Sequence, residues 1–298
     1  MIDAIHKIVS FIKETKYNIG FIQESLQDVI DGAPIHVNWL KHSYKDRWFA
    51  DPFILDTTND EIIVLVEEWV DITQRGRISK LVIDKKTYEL KNQKVMIDLD
   101  THLSFPAIER IGKDVFIHPE NSITGELNNY RYNKYSDTFE KCDVLCKLPL
   151  TDSAITDFFG NRLLFSTKLP DANGKELGIY TYDKNAGLFV IKDYYHFDEN
   201  ISRMAGNFFT LKGKVYRPAQ VCIKSYGDAV SLQEVTCYQG KWSFKEIRRI
   251  YSPNYDLDLG FHTFNVYENF IAIDAIGYRR AKLCHVLRKI KSWCAVIK

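Results

Sequence analysis

The sequence predicts an all-β fold, a single five-bladed β-propeller with a short N-terminal helix. Three observations carry that expectation. One pattern recurs five times at a step of about 50 residues, each step holds material for four strands, and no helical periodicity follows residue 32.

The pattern is a short apolar segment, a Gly/Asn/Asp turn and a second, more strongly β-forming segment. It first appears as Ala50–Ile54, a turn near Asn59-Asp60, and Ile62–Glu68. It returns as Ser104–Ile108 with Val115–Glu120, and as Ile155–Phe159 with Leu163–Thr167. The fourth and fifth copies are Ala205–Phe209 with Val215–Gln220, and His262–Val266 with Phe270–Asp274. Aligning Phe53, Ala107, Phe158, Phe208 and Phe264 gives steps of 54, 51, 50 and 56 residues. The intervals supply two further strand-like segments each, for example Ile78–Ile83 and Val95–Leu99, or Val230–Cys237 and Trp242–Arg248. Four strands per repeat is the pattern of a propeller blade, and five copies give blades starting near residues 49, 103, 154, 204 and 261.

The N-terminus departs from the pattern. Ile5, Ile8, Val9 and Ile12 are spaced for one face of a short helix, and Tyr17–Ile22 and His36–Leu40 read as strands. A ring needs its ends tied together, so one of these strands is expected to complete the last blade. The division is residues 1–32 as helix and closing segment and 33–298 as propeller, with the helix capping the ring and a membrane-surface role as the lesser alternative.

Composition narrows the function. A chain of 298 residues with 45% hydrophobic residues can bury a large core, and 17 Tyr and 18 Phe favour strands. With 40 basic and 39 acidic residues the overall balance offers no electrostatic footprint for nucleic acid or an anionic membrane. No apolar run approaches the roughly 20 residues of a membrane span, and no leader pattern is seen, so a cytoplasmic location is expected. The six cysteines, Cys142, Cys146, Cys222, Cys237, Cys284 and Cys294, lack zinc-ligand spacing and read as free thiols. No cofactor fingerprint and no metal-ligand set is read from the chain.

In a propeller the innermost strand of each blade runs along the axis, so equivalent polar positions converge on one funnel. Here Asp51, Ser104, Thr156 with Asp157, Asn207, and His262 with Thr263 open the inner strands. Glu67, Glu68, Glu120, Arg217, Gln220 and Asp274 lie on second strands. Asp51, between aromatic residues and before Pro52, reads as a pocket carboxylate over a turn-former. Glu120 reads equally as a pocket carboxylate or an edge residue. Arg217 lies among apolar neighbours and needs an anionic partner, either a protein carboxylate or a ligand phosphate or carboxylate. His262 reads as an acid/base or as a hydrogen-bonded core histidine, and Asp274 as a strand-end residue. The catalytic set expected is Asp51, Glu120 and Asp157, and the binding set is Trp48, Glu68, His102, Arg203, Arg217, Gln220 and His262.

The segment Ala50-Asp51-Pro52-Phe53-Ile54 resembles the first-blade motif of the arabinanase/xylosidase/levansucrase superfamily of five-bladed glycosidases. That resemblance implies Asp51 as general base or nucleophile. Its further carboxylates, carried as Asp-Pro and Glu-Gly-Pro, meet Phe105-Pro106 and Thr156-Asp157 here, a departure that counts against plain hydrolysis. A wider set is similar to the N-terminal propeller domain of glucosamine inositolphosphorylceramide transferase: Phe49–Phe53, Ser104–Ala107, Pro119–Asn121, Arg217–Gln220, Tyr226-Gly227 and His262–Asn265. That likeness implies a role in surface-polysaccharide synthesis. In the plant proteins a separate glycosyltransferase domain follows the propeller.

The expectation is therefore a carbohydrate-active protein of glycan assembly that binds a sugar or activated sugar and transfers it at the central pocket. Glycoside hydrolysis, with Glu67 or Glu120 as acid, is one alternative. A non-catalytic sugar-binding module partnering a separate glycosyltransferase is the other.

Overall fold

A computed structural model describes residues 12–286. Five four-stranded antiparallel sheets form the five blades. Blade I holds β3 (Arg47–Thr57), β4 (Glu61–Val70), β5 (Arg75–Asp84) and β6 (Leu90–Ile97), from the axis outward. Blade II holds β7 (Ser104–Ile111), β8 (Asp114–Glu120), β9 (Leu127–Asn133) and β10 (Thr138–Cys146). Blade III is β11 (Leu150–Thr156), β12 (Leu163–Lys168), β13 (Glu176–Asp183) and β14 (Leu188–His196). Blade IV is β15 (Phe209–Leu211), β16 (Lys214–Val221), β17 (Ala229–Tyr238) and β18 (Lys241–Ile250).

Blade V closes the ring. Its inner strands β19 (Phe264–Tyr267) and β20 (Phe270–Tyr278) come from the end of the chain, and its outer strands β1 (Thr15–Ile22) and β2 (Val37–Trp39) from the beginning. Seven residue pairs join β1 to β20, from Thr15↔Tyr278 to Phe21↔Ala272. Both early strands, rather than one, complete the blade. A single helical turn, Leu26–Ile30, capped by Ser25, links them and buries Val29. The expected helix over residues 5–12 lies outside the described residues, apart from Ile12.

The blades pack through apolar faces. One cluster joins Leu65 and Ile78 of blade I to Phe105, Ile117, Phe165, Ile179 and Val235 of blades II to IV. A second joins blades IV and V through Phe209, Val230, Phe264 and Ile273. Inside the channel, two asparagines act as struts. The Asn207 amide donates to the Ile108 carbonyl at 2.8 Å, and the Asn265 amide donates to the Pro52 carbonyl at 3.0 Å.

The inner strands of blades I to III share a defect that sets the site. Pairing skips between Ala50 and Phe53, between Ser104 and Ala107, and between Thr151 and Ala154. At each skip one residue turns left-handed: Asp51 (φ 50°), Phe105 (φ 44°) and Asp152 (φ 41°). These are β-bulges, and Pro52 and Pro106 fit there because a bulge leaves a position with no ladder bond to make.

The bulges correct the alignment of the third repeat. Ala154, not Phe158, is the equivalent of Ala107, and the inner strand of blade III lies at Leu150–Thr156. Phe158 is exposed in the turn that follows. Ring closure through β1 can be tested with Ile19→Ala. Ile19 is fully buried in the closing strand; the expected cost is about 2–5 kcal/mol in denaturant unfolding, whereas a change under 1 kcal/mol would mean that β1 is dispensable.

Candidate functional site

At the end of the ring where the inner strands begin, the bulges gather five buried carboxylates: Asp51, Glu67, Glu120, Asp152 and Asp274. Three of them receive a bulge N–H from the following blade. Asp274 of blade V accepts from the Asp51 N–H at 2.9 Å, Asp51 from the Phe105 N–H at 3.0 Å, and Glu120 from the Asp152 N–H at 3.0 Å. Left-handed φ aims each N–H inward, and a non-glycine residue held there is strained, a cost found typically at functional sites.

Two cations answer the carboxylates. Arg203, at the mouth of blade IV, donates to Asp152 at 2.6 Å, to Glu120 at 3.0 Å and to the Asn173 side chain at 3.1 Å. Gln220 adds a 2.6 Å bond to Asp152. His262 places Nδ1 2.7 Å from Asp274 and Nε2 3.7 Å from Asp51. Burial alone would depress the His262 pKa, but Asp274 and Asp51 outweigh it and raise it to about 9, so the ring is an imidazolium at neutral pH. Burial likewise opposes ionisation of Asp274, yet His262 and the convergent donors hold it below the usual carboxylate range.

The remaining carboxylates separate by environment. Asp51 is pushed up to about 6 by burial, with His262 pulling back and Asp152 and Asp274 adding to the rise. Its oxygens accept from Thr263 Oγ1 at 2.9 Å and from the Phe105 N–H, which favours the anion. Burial pushes Glu120 up to about 8, with Arg203 pulling back and Asp152 adding to the rise; Ser122 donates to it at 3.1 Å, and the Asp152 N–H and Arg203 at 3.0 Å each. Glu67 differs. Burial raises it well above the ordinary value, and Asp51, Asp274, Glu120 and Asp152 all push the same way. The basic side chain beside it is His102, with Nε2 3.6 Å away and its pKa lowered by burial. Because His102 Nδ1 accepts the Gly76 N–H at 2.8 Å, Nε2 carries the proton of the neutral ring and faces Glu67. Gly76 is obligatory here: a Cβ would sit 2.6 Å from Glu67 Oε1 and 2.5 Å from the Leu103 carbonyl.

Aromatic rings border this cluster. Trp48 and Trp69 stack as a cross-strand pair at 5.4 Å, Tyr17 lies 5.0 Å from Trp48 and stacks on His262 at 4.8 Å, and Tyr226 meets His262 edge-on at 5.4 Å. Arg203 lies 5.1 Å over Tyr226. Aromatic faces beside paired carboxylates suit a polyhydroxylated ligand with apolar faces.

Of the expected residues, the structure gathers Asp51, Glu120, Arg203, Gln220 and His262 in the cluster, with Trp48 and His102 at its border. Three are elsewhere. Asp157 is exposed in the turn at the far end of β11, and Asp152 occupies the bulge in its place. Glu68 alternates away from Glu67 to the opposite face of β4, where Arg47, Arg77, Ser79 and Gln93 bind it. Arg217 has neither a protein carboxylate nor the funnel beside it. Carbonyls of Ile201 and Ser202, Gln233 and Met204 receive its guanidinium, Phe197 and Phe244 flank it, and burial lowers it to about 9. Asp274, read as a strand-end residue, is fully buried at the centre. Asp152 and Asn173 are not singled out by the sequence, and Tyr17 and Tyr226 appear there only in a strand and in a motif of the resemblance; a bulge without proline, a closing strand and two loops carry the four.

Asp51, His262 and Asp274 lie close enough to present atoms to one cation. Asp274 already accepts from the Asp51, His262 and Thr263 N–H groups, Thr263 Oγ1 and the imidazole. A metal there would have to displace the imidazole proton and several of these bonds, so the donor set fits protons better than a metal.

Stability should fall as pH rises. Glu67, Glu120 and Asp51 have raised folded values, so their contributions are complete below about pH 4 and are lost as each ionises inside the fold, Asp51 near 6 and Glu120 near 8; the contribution of His262 is complete below about 6.5 and is lost through about 9. The melting temperature is expected to decline between pH 5 and pH 9 (roughly the window these groups span), and Glu67→Gln to flatten that decline. An unchanged slope in the variant would show that Glu67 is not held protonated.

Residues 36–256 match the family model described as glucosamine inositolphosphorylceramide transferase 1, N-terminal. The chain is 26% identical over 201 residues to glucosamine inositolphosphorylceramide transferase 1 of Oryza sativa subsp. japonica, covering 64% of this chain and 27% of the relative. It is 25% identical over 196 residues to the Arabidopsis thaliana protein of that name, covering 63% and 26%. The chain thus spans about a quarter of the length of these relatives. Among solved structures, a thermostable family-43 glycoside hydrolase superposes with a TM-score of 0.54 at 10% identity, covering 82% of this chain and 88% of that one. An exo-β-1,3-galactanase from Phanerochaete chrysosporium gives 0.50 at 8% identity, covering 70% and 53%. At such identities the likeness is one of fold. With its match over most of the propeller, the chain belongs to the family of the glucosamine inositolphosphorylceramide transferase 1 N-terminal region.

Proposed function

We propose that this chain is carbohydrate-active and moves a glycosyl group within the funnel by acid–base catalysis on an uncharged sugar. The observation that carries the reading is the separation of Asp51 from Glu67. The first is hydrogen-bonded as an anion at about 6; the second is raised well above the ordinary value by burial and by the surrounding carboxylates, faces a neutral imidazole, and keeps its proton. Two carboxyl groups whose environments push them apart are the pattern of an acid and a base working on one glycosidic bond.

In the proposed step the Glu67 proton goes to the departing glycosidic oxygen as its bond to the anomeric carbon breaks. An acceptor hydroxyl, from water or a second sugar, bonds to that carbon and gives its proton to Asp51. His262 and Thr263 orient Asp51, and the Trp48–Trp69 pair offers a stacking face. A phosphorylated donor has less support, because Arg203 and His262 already face carboxylates.

A second reading is a sugar-binding module that catalyses nothing. It is favoured by Asp51, Glu120 and Asp274, which bind bulge N–H groups and so hold blades together whether or not chemistry occurs. Glu67 makes no such inter-blade bond in the structure, which makes it the discriminating residue. Incubated with a panel of neutral oligosaccharides, folded Glu67→Gln should lose about 10²–10⁴-fold in turnover, the usual contribution of a positioned acid. Retained turnover would remove Glu67 from the mechanism, and oligosaccharide binding without product from the wild type would establish the binding module.

Asp51→Asn should also abolish turnover while keeping ligand-induced thermal stabilisation. A loss of that stabilisation together with activity would assign Asp51 to binding.

A further inference from the structure

His102 lies in the segment joining β6 to β7, and the structure clamps it onto the backbone of Gly76. The Gly76 N–H donates to His102 Nδ1 at 2.8 Å, and the Leu103 N–H donates to the Gly76 carbonyl at 3.0 Å. Leu103 is itself buried, which anchors the segment. Gly76 stands across the β4–β5 ladder from Trp69, and the His102 ring is tilted 6.0 Å from that indole. A Cβ on Gly76 would fall 2.8 Å from His102 Cε1 and 2.6 Å from Glu67 Oε1. The imidazole and the carboxyl group close over the space a side chain would take.

The clamp limits what His102 can be. With Nδ1 accepting, the proton of the neutral ring sits on Nε2, 3.6 Å from Glu67. To become an imidazolium, His102 would have to turn an Nδ1–H against the Gly76 N–H and lose that bond. Burial also disfavours the charged ring, with Asp152 opposing and Arg203 adding to the effect. The carboxylates acting on Glu67 are Asp51, Asp274, Glu120 and Asp152, and the Tyr17 phenol lies within range of its charge. The His102 side chain is 43% exposed and that of Glu67 8%, so the histidine stands between solvent and the acid. A histidine so exposed would ordinarily charge in mild acid, and an imidazolium at this distance would draw the proton off Glu67.

We propose that His102 is a positioning residue for Glu67, held by Gly76 as a neutral hydrogen-bond donor. The assignment rests on the reading of Glu67 as the acid. Before the step, an uncharged ring leaves Glu67 its proton. When that proton goes to the departing oxygen, the carboxylate left behind accepts a hydrogen bond from His102 Nε2–H, a contact of the kind that tightens as charge develops. Afterwards Asp51 returns the acceptor's proton to water and Glu67 takes one from water, so His102 carries none. A neutral imidazole kept from charging by its surroundings is a known electrophile.

Two measurements on the full chain test this. Nitrogen NMR of the imidazoles should show His102 as the neutral Nε2–H tautomer at about pH 6, where a free imidazole is mostly charged. An imidazolium, or the Nδ1–H tautomer, would overturn the proposal. The second measurement compares three substitutions. His102→Lys puts a fixed cation beside Glu67 and should lose about 10²–10⁴-fold in turnover of neutral oligosaccharides, as Glu67→Gln does. In that background Glu67→Gln should no longer flatten the fall of melting temperature with pH. His102→Ala removes the donor without adding charge; kcat should drop about 10- to 100-fold with KM unchanged, and His102→Gln should recover part of that loss. Wild-type kinetics in His102→Ala, or full turnover in His102→Lys with the flattening intact, would overturn the positioning role alone, leaving Glu67 as the acid. Unchanged turnover in Glu67→Gln, or none in wild type, would instead remove the acid and the positioning role with it.

Discussion

The structure depends on an inward-turned N–H at a β-bulge, met by a carboxylate of the preceding blade. Asp274 holds blade I by the N–H of Asp51, Asp51 holds blade II by that of Phe105, and Glu120 holds blade III by that of Asp152. Asp152 passes the contact on to Arg203 and Gln220 of blade IV. From there the main chain continues it, with the Phe264 N–H on the Ala205 carbonyl. A buried carboxylate without partners would cost several kcal/mol. Here the strained backbone supplies the partner, and the carboxylate in turn fixes the strained backbone. Site and ring closure are one network.

That network explains why the funnel is acidic without being unstable. Five carboxylates face two cations, so full ionisation would leave an uncompensated charge in a buried space. His262 sits between Asp274 and Asp51, and Arg203 between Glu120 and Asp152. Glu67 is the group left over, on the same face of β4 as Trp69 and directly across from Ala50. Retaining its proton is the least costly way to bury it. A proton held for structural reasons beside an ionised Asp51 is also a proton available for transfer.

The fold was legible because a propeller repeats its signal five times, so an error in one copy does not hide the others. The third copy shows the limit. Ile155–Phe159 has the apolar profile of an inner strand, yet Leu150–Thr156 is the strand, because pairing with β12 and burial of Asp152 decide the register. Proline marks the bulges at Asp51 and Phe105; Ser153 leaves the third unmarked. Glu67 and Glu68 are adjacent, and period-2 alternation says only that they part, not which one faces the axis. Arg217 and Gln220, three apart on one strand, also part. Gln220 reaches Asp152, while Arg217 is wrapped by carbonyls and rings that no local pattern announces.

Closure of blade V by β1 has a consequence for the site as well as for stability. Tyr17 lies on that strand and stacks on His262, whose imidazolium bridges Asp274 and Asp51. The aromatic arc from Trp69 through Trp48 and Tyr17 to Tyr226 therefore draws on blades I, V and IV, and one of its members arrives from the first strand of the chain. If β1 detached, His262 would lose a stacking face and Asp274 a covering strand, and water would reach the carboxylates whose values depend on its exclusion. The charge separation of Asp51 and Glu67 is thus a property of the closed ring, assembled only when both ends of the propeller share one sheet.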